Sequence, residues 1–310
     1  MANVIELVSK HIPMLDYQYR VGSKTAILDA DESLIRETRE AKTIFIPKMH
    51  LTGLRNYSRN EGFKRGVQEL TWEPHTFTQD RGTEFIVDIM DDIETLGIAY
   101  GKLALEFQKN HVIPELDAYR FATYFEKAYN KDTTNPTKSN VYGLLNDAMT
   151  ELDEQEVPEE GRLLFVSNQF YNLMKQSTEV QKKWDVMDHQ DSKGITFKVE
   201  YFDGIRVEKV PQRRFKTAIE ILDTEEGGYE FAADAGNINF LFVHPSAIMQ
   251  IVKRAVTRPF APTPDLAAQT GAWGVNQKGD GWLLQERIYH DSFVLGNKTT
   301  ALFANYTPAT

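Results

Sequence analysis

The chain contains no cysteine. That excludes a disulfide framework, a thiolate metal centre and a cysteine nucleophile, and it suits a reducing compartment. Long apolar runs are missing as well. The run Phe240-Leu-Phe-Val243 is far too short to cross a bilayer, so no membrane partner is expected. The start, Met1-Ala-Asn-Val-Ile-Glu6, has no basic cluster and no apolar stretch, which reads against a secretory signal. Positive charge is also short: 35 Lys and Arg stand against 45 Asp and Glu, a net charge of −10. A protein gripping nucleic acid over its whole surface needs clustered cations, so that class is excluded.

Signatures of small-molecule chemistry are absent too. There is no phosphate loop, dinucleotide fingerprint or Gly-x-Ser-x-Gly elbow, and Gly227-Gly228 has turn spacing only. The seven histidines show no ligand spacing. Trp273 and Trp282 near glycines read as packing residues. His244-Pro245-Ser246 reads as a cap at a turn. Asp88, Asp91, Asp92 and Glu94 form the sharpest carboxylate cluster, yet a strand-to-helix junction sends their side chains apart. A helix start explains them better than a metal site does. No enzyme, cofactor or metal is expected.

What is present is an ordinary globular composition. The 310 residues are 41% hydrophobic and 11% aromatic, enough for one large or two moderate domains. The pattern is α+β. Residues 1–41 lack a core pattern and read as an N-terminal arm. Residues 42–49 and 67–77 are extended runs joined by a Gly- and Asn-rich basic tip, together a long β-hairpin at 42–83 with little apolar surface to fold onto itself. The tip carries Arg55, Tyr57, Arg59, Phe63, Lys64 and Arg65. Three readings stay open for it: nucleic-acid contact, contact with another subunit, or a solvated turn. Positions 42–82 hold seven Lys and Arg against four Asp and Glu, whereas 84–126 is strongly acidic. That contrast fits surfaces that meet between subunits, or two solvated faces of one monomer.

A strand at 85–89 gives way to a helical stripe of Ile93, Leu96, Tyr100, Leu103 and Phe107. Pro114 is expected to break or kink that helix. Ala118, Phe121, Ala122, Phe125 and Tyr129 resume the stripe. Residues 131–139 read as a domain boundary, with Ser139 capping the helix that carries Val141, Leu144, Leu145, Ala148, Met149 and Leu152. Two strand–cap–helix units, at 162–174 and 238–252, suggest a shared sheet flanked by helices. Asp203-Gly204 signals a tight hairpin. Residues 256–281 read as a surface loop, and 282–289, 293–295 and 299–306 as short strands.

Several motifs, in order, resemble a family of tailed-bacteriophage major capsid proteins. They include Thr78-Gln-Asp-Arg-Gly82, Phe85-Ile-Val-Asp-Ile-Met-Asp-Asp92, Val157-Pro-Glu-Glu-Gly-Arg162, Phe202-Asp-Gly-Ile-Arg206, Asn239-Phe-Leu-Phe-Val-His-Pro-Ser246 and Arg287-Ile-Tyr-His-Asp-Ser-Phe293. The resemblance implies the Hong Kong 97 fold. In it, 42–83 is the extended loop lying across a neighbouring subunit. Residues 84–130 form the spine helix and peripheral domain, 131–255 mainly the axial domain, and 256–310 a return to the peripheral domain. It implies self-assembly into hexamers and pentamers of an icosahedral virion shell around double-stranded DNA, built in the host cytoplasm. Portal, scaffolding and decoration proteins are the further partners it implies. A separate scaffolding protein is expected because no long segment precedes the arm. The expected intersubunit set is the tip residues with Asp80, Arg81, Asp88, Asp91 and Asp92. A bacterial nanocompartment shell of the same fold and a carboxylate–metal enzyme are the rival readings.

Overall fold

A computed structural model describes residues 22–29, 36–37, 43–57, 59–60, 62–88, 106–190, 196–224, 227–260 and 281–309. In chain order the strands begin with β1 (Arg36–Glu37), β2 (Thr43–Leu51), β3 (Gln68–Thr76) and β4 (Gln79–Asp88). A π-helical turn at Gln108–Val112 runs into helix α1 (Ile113–Lys127), followed by β5 (Asn130–Asp132) and α2 (Val141–Glu154). Then come β6 (Leu163–Ser167), α3 (Asn168–Gln176), α4 (Thr178–Lys182), β7 (Trp184–Gln190), β8 (Thr196–Phe202) and β9 (Ile205–Val210). The chain closes with β10 (Ile219–Ile221), β11 (Tyr229–Phe231), β12 (Asn237–Val243), β13 (Ile248–Phe260), β14 (Gly281–Val294) and β15 (Leu302–Thr307).

The main core lies around a seven-stranded sheet ordered β5-β15-β12-β6-β9-β8-β7. All five residues of β6 are buried, as a strand covered on both faces requires. Phe121 of α1 packs edge-on against Phe165, while Phe170 of α3 packs on Phe240. Phe165 stands beside Leu241, and Phe240 beside Val166, in the β6–β12 register. Side chains alternate along a strand, so α1 and α3 cover opposite faces of the sheet. The β8–β9 turn has φ of 50° at Asp203 and 79° at Gly204, the left-handed pair that a two-residue turn needs. Ser167 caps α3 by accepting the N–H of Phe170.

A second sheet, β13-β14-β4, is built from long strands, and β1-β2-β3 forms a third. Here several expectations give way. Residues 248–252 form the start of strand β13 instead of a helix, because only a single 3-10 turn separates β12 from a ladder against β14. That strand continues to Phe260, so 256–260 of the expected loop are strand, and 261–280 lie outside the described residues. The pieces at 282–289 and 293–295 are one strand to Val294, and β15 joins the seven-stranded sheet. Residues 131 and 132 of the expected boundary belong to strand β5, paired in parallel with β15.

Pro114 does not end the helix. It sits in the first turn of α1 behind the π-helical turn, whose wider hydrogen-bonding pattern accommodates a residue with no N–H to give. Ser139 is not the cap of α2. Asn140 holds that position, its Oδ1 accepting the N–H of Thr137. The stripe residues Ala118, Phe121 and Phe125 are buried, whereas Tyr129 lies beyond the helix and is exposed. The stripe from Ile93 to Leu103 lies outside the described residues, as does most of the N-terminal arm. Within that arm 22–29 is docked: Asp117 accepts from Ser23 Oγ, Lys24 N and Thr25 N, and Leu28 enters the main core.

Candidate intersubunit surface

β2 and β3 pair antiparallel over nine residues each, from Thr43↔Thr76 to Leu51↔Gln68. Residues opposite one another in such a ladder share a face. Ile44 with His75 and Ile46 with Glu73 therefore lie on one face, which continues outward as Lys48 with Thr71 and His50 with Glu69. At its root this face is anchored on its own subunit. Ile44 and Ile46 join Phe77, Met249 and Ile251 in a small buried cluster. His75 lies against Phe293 at 4.9 Å, and burial holds its pKa below the usual histidine value. The hairpin thus has more support than its composition suggests, but only at its base.

The opposite face is apolar further out. Met49 stands beside Leu70, with Leu51 and Trp72 on the same side. Their exposures lie between 41% and 60%. The signal was present as period-two alternation through Phe45, Met49 and Leu51, and sequence reasoning passed over it in favour of the charged tip. Covering the exposed half of such a side chain stabilises by about 1 kcal/mol.

At the tip, Tyr57 and Phe63 pack ring to ring at 4.9 Å, Phe63 being almost fully exposed. Val67 N donates to Thr52 Oγ1 at 2.8 Å and closes the loop, and Gly62 takes a φ of +75°. Arg55, Arg59, Lys64 and Arg65 are all exposed there. Asp80 and Arg81 sit apart from this group. Asp80 is bonded by Arg287 Nε at 2.8 Å and Nη2 at 2.6 Å. Arg81 donates to Glu115 at 2.8 Å and to the Gly228 carbonyl. Both are tied within the subunit. The side chain of Asp88, and Asp91 and Asp92 entirely, lie outside the described residues.

The base of the hairpin is held by a buried carboxylate that sequence reasoning missed. Asp291 accepts from Thr78 N, Thr78 Oγ1, Tyr119 OH and Ser292 N. Burial pushes the Tyr119 hydroxyl up to about 12, so it remains a donor at neutral pH. His244 caps its 3-10 turn by accepting the N–H of Ser246, while its Nε2 meets the Glu160 carbonyl at 3.0 Å. Among the described residues no group of three or more His, Asp or Glu is arranged to hold a metal. No helix among them is long and apolar enough to cross a membrane.

No protein-family model and no curated protein sequence matches the chain. Solved structures do. The capsid of cyanophage P-SCSP1u superposes with a TM-score of 0.57 at 12% identity, covering 89% of this chain and 86% of that one. The mature capsid of bacteriophage PhiM1 gives 0.56 at 11% identity, with 87% and 83% covered. The capsid of Staphylococcus phage Andhra gives 0.53 at 8% identity, with 92% and 84% covered. The chain has the Hong Kong 97-type capsid fold. At these identities the likeness concerns the fold.

Proposed function

We propose that this chain is a major capsid protein, many copies of which close an icosahedral shell of hexamers and pentamers around the double-stranded DNA of a tailed bacteriophage. The observation that carries the reading is the apolar stripe of Met49, Leu51 and Leu70, left in water on a hairpin of a fold shared with phage capsids. A second copy of the chain is its cover, and the basic tip adds charge complementarity to an acidic chain. Asp88, Asp91 and Asp92 remain candidate acceptors for that tip. The role is structural, without catalysis or cofactor, and the protein resides in the virion after assembly in the host cytoplasm. A scaffolding protein, a portal and decoration proteins complete the partner set. Weak contacts repeated over a closed shell become effectively irreversible.

Negative-stain electron microscopy of the gently purified protein tests this. Uniform closed shells are expected from the wild type together with its scaffolding protein, and none from Met49→Lys/Leu70→Lys; uniform shells from the chain alone would count against a separate scaffolding protein. Lys48→Glu/Thr71→Lys on the other face should still assemble. Replacing Arg55, Arg59, Lys64 and Arg65 by glutamate should leave folded subunits that do not assemble. Normal shells from the stripe variant would sink the contact, and shells filled with protein cargo would favour the nanocompartment reading.

A further inference from the structure

A cavity of about 350 Å³ lies between the β4–β14 sheet, the helix from 107 to 116 and the β10–β11 turn. Glu286 stands in its wall, on the middle strand, flanked in register by Thr257 of β13 and Thr83 of β4. It is only 6% exposed. Gln108 Nε2, at the first position of the π-helical turn, donates to Glu286 Oε1 at 3.1 Å, and Thr257 is its other hydrogen-bond partner. Gln108 Oε1 is buried with no partner.

The charged groups around the cavity do not neutralise this carboxyl. Arg81 of β4 is bound to Glu115, and Arg287 of β14 to Asp80. His290 of β14 is held neutral, burial driving its pKa down to about 3. His111 of the helix stacks on Phe107, and Asp223 of the β10–β11 turn adds only negative charge. A buried carboxylate with two neutral donors, the Gln108 amide and the Thr257 hydroxyl, and no cation is poorly stabilised. The protonated carboxyl keeps both contacts with no charge to desolvate: its carbonyl oxygen still accepts from Gln108 Nε2, and its O–H can donate to the Thr257 hydroxyl, which accepts as well as it donates.

We propose that Glu286 and Gln108 form a proton-operated latch, closed when Glu286 is protonated, that ties the π-helical turn of the long helix to the β13–β14–β4 sheet. Burial raises the Glu286 pKa from 4.5 to about 7. A carboxyl raised in the closed state holds the latch fully below its open-state value and releases it as pH climbs through the closed-state value. The latch is thus strongest in acid, weakens between 4.5 and about 7, and is flat above. It operates in the subunit whether or not subunits assemble.

Hydrogen–deuterium exchange on the full chain, corrected for the intrinsic pH dependence of exchange, reads the latch in peptides covering 106–116, with 163–174 as reference. The expected result is protection of 106–116 that falls about tenfold per pH unit through that window while the reference stays constant. In Glu286→Gln the fall disappears. The same fall in that variant, or flat protection in the wild type, overturns the proposal. Infrared titration of wild-type protein carrying 13C-labelled glutamate needs no variant. A protonated glutamate carboxyl persisting at about pH 6 and vanishing above neutrality is expected, and its absence at that pH would equally overturn the latch.

Discussion

The buried carboxylate of Asp291 accepts the backbone N–H of Thr78 at 2.7 Å, joining residues 213 positions apart. Thr78 sits between β3 and β4, so this bond fixes the direction in which the hairpin leaves the sheet. Tyr119 OH at 2.8 Å and Ser292 N at 2.8 Å complete the grip from the helix and from the strand itself. Asp291→Asn keeps the shape but turns one acceptor into a donor facing donors. It should cost about 2–3 kcal/mol in urea unfolding and speed proteolysis within 43–77. An unchanged midpoint would show that the grip is ornamental.

Asp117 plays the matching role for the segment 22–29. It is fully buried, and it also accepts from Thr25 Oγ1 at 2.8 Å and Arg214 Nη1 at 3.1 Å. Removing one partner of a buried ionic cluster leaves the others uncompensated. Asp117→Ala should therefore destabilise by about 3–5 kcal/mol, with 22–29 becoming sensitive to protease before the rest unfolds. Loss of stability with 22–29 still protected would contradict this assignment.

Two glycines offer an internal contrast. A Cβ on Gly236 would stand 2.6 Å from the Thr307 carbonyl oxygen, a backbone atom held in the β12–β15 ladder. Gly236→Ala should lower stability by about 1–3 kcal/mol. Gly143 lies in α2 with open space around its Cβ, and Gly143→Ala should raise stability by about 0.5–1 kcal/mol. Thermal melts of the two variants should move in opposite directions.

Glu286 and His290 give opposing pH dependences of global stability. Glu286, raised to about 7, contributes stability that is lost as pH rises from 4.5. His290, lowered to about 3 by burial, makes folding less favourable as pH falls below 6.5, because the unfolded chain takes up the proton. Between 4.5 and 6.5 the two slopes offset. Relative to wild type, Glu286→Gln should lose stability more steeply on acidification, and His290→Gln less steeply. Urea titrations across this range measure both, and parallel curves for all three proteins would refute the assignment.

The parts legible in the sequence are those governed by near neighbours. The Asp203-Gly204 turn, the Ser167 cap and the stripe of Val141, Leu145, Ala148 and Leu152 each depend on residues within one or two turns. The reading of 248–252 as helix failed because Ile248, Ile251 and Val252 satisfy a helical spacing as well as a buried strand. Gln250 shows what settled it: buried, it donates to the Thr25 carbonyl at 3.0 Å and accepts from Tyr124 OH. For the candidate surface, the basic tip was visible as composition, whereas Asp80 and Arg81 were visible only as charges. Their partners Arg287 and Glu115 are distant in sequence, and nothing local reveals that they are already engaged.

By itself, the sequence determined that the chain is α+β, cysteine-free and acidic, with a long hairpin, whose strands pair from Thr43 to Thr76 while 79–83, expected within it, belong to β4. These follow from residue type and short-range periodicity, which act wherever the chain lies. Tertiary structure alone decided which face of the hairpin is anchored through Ile44 and Ile46, and which leaves Met49, Leu51 and Leu70 in water. It alone turned Asp117, Asp291 and Glu286 from three carboxylates among many into two fixed anchors and one proton-sensitive contact. The reason is that burial and hydrogen-bond partners come from strands and helices that meet only after the chain has folded.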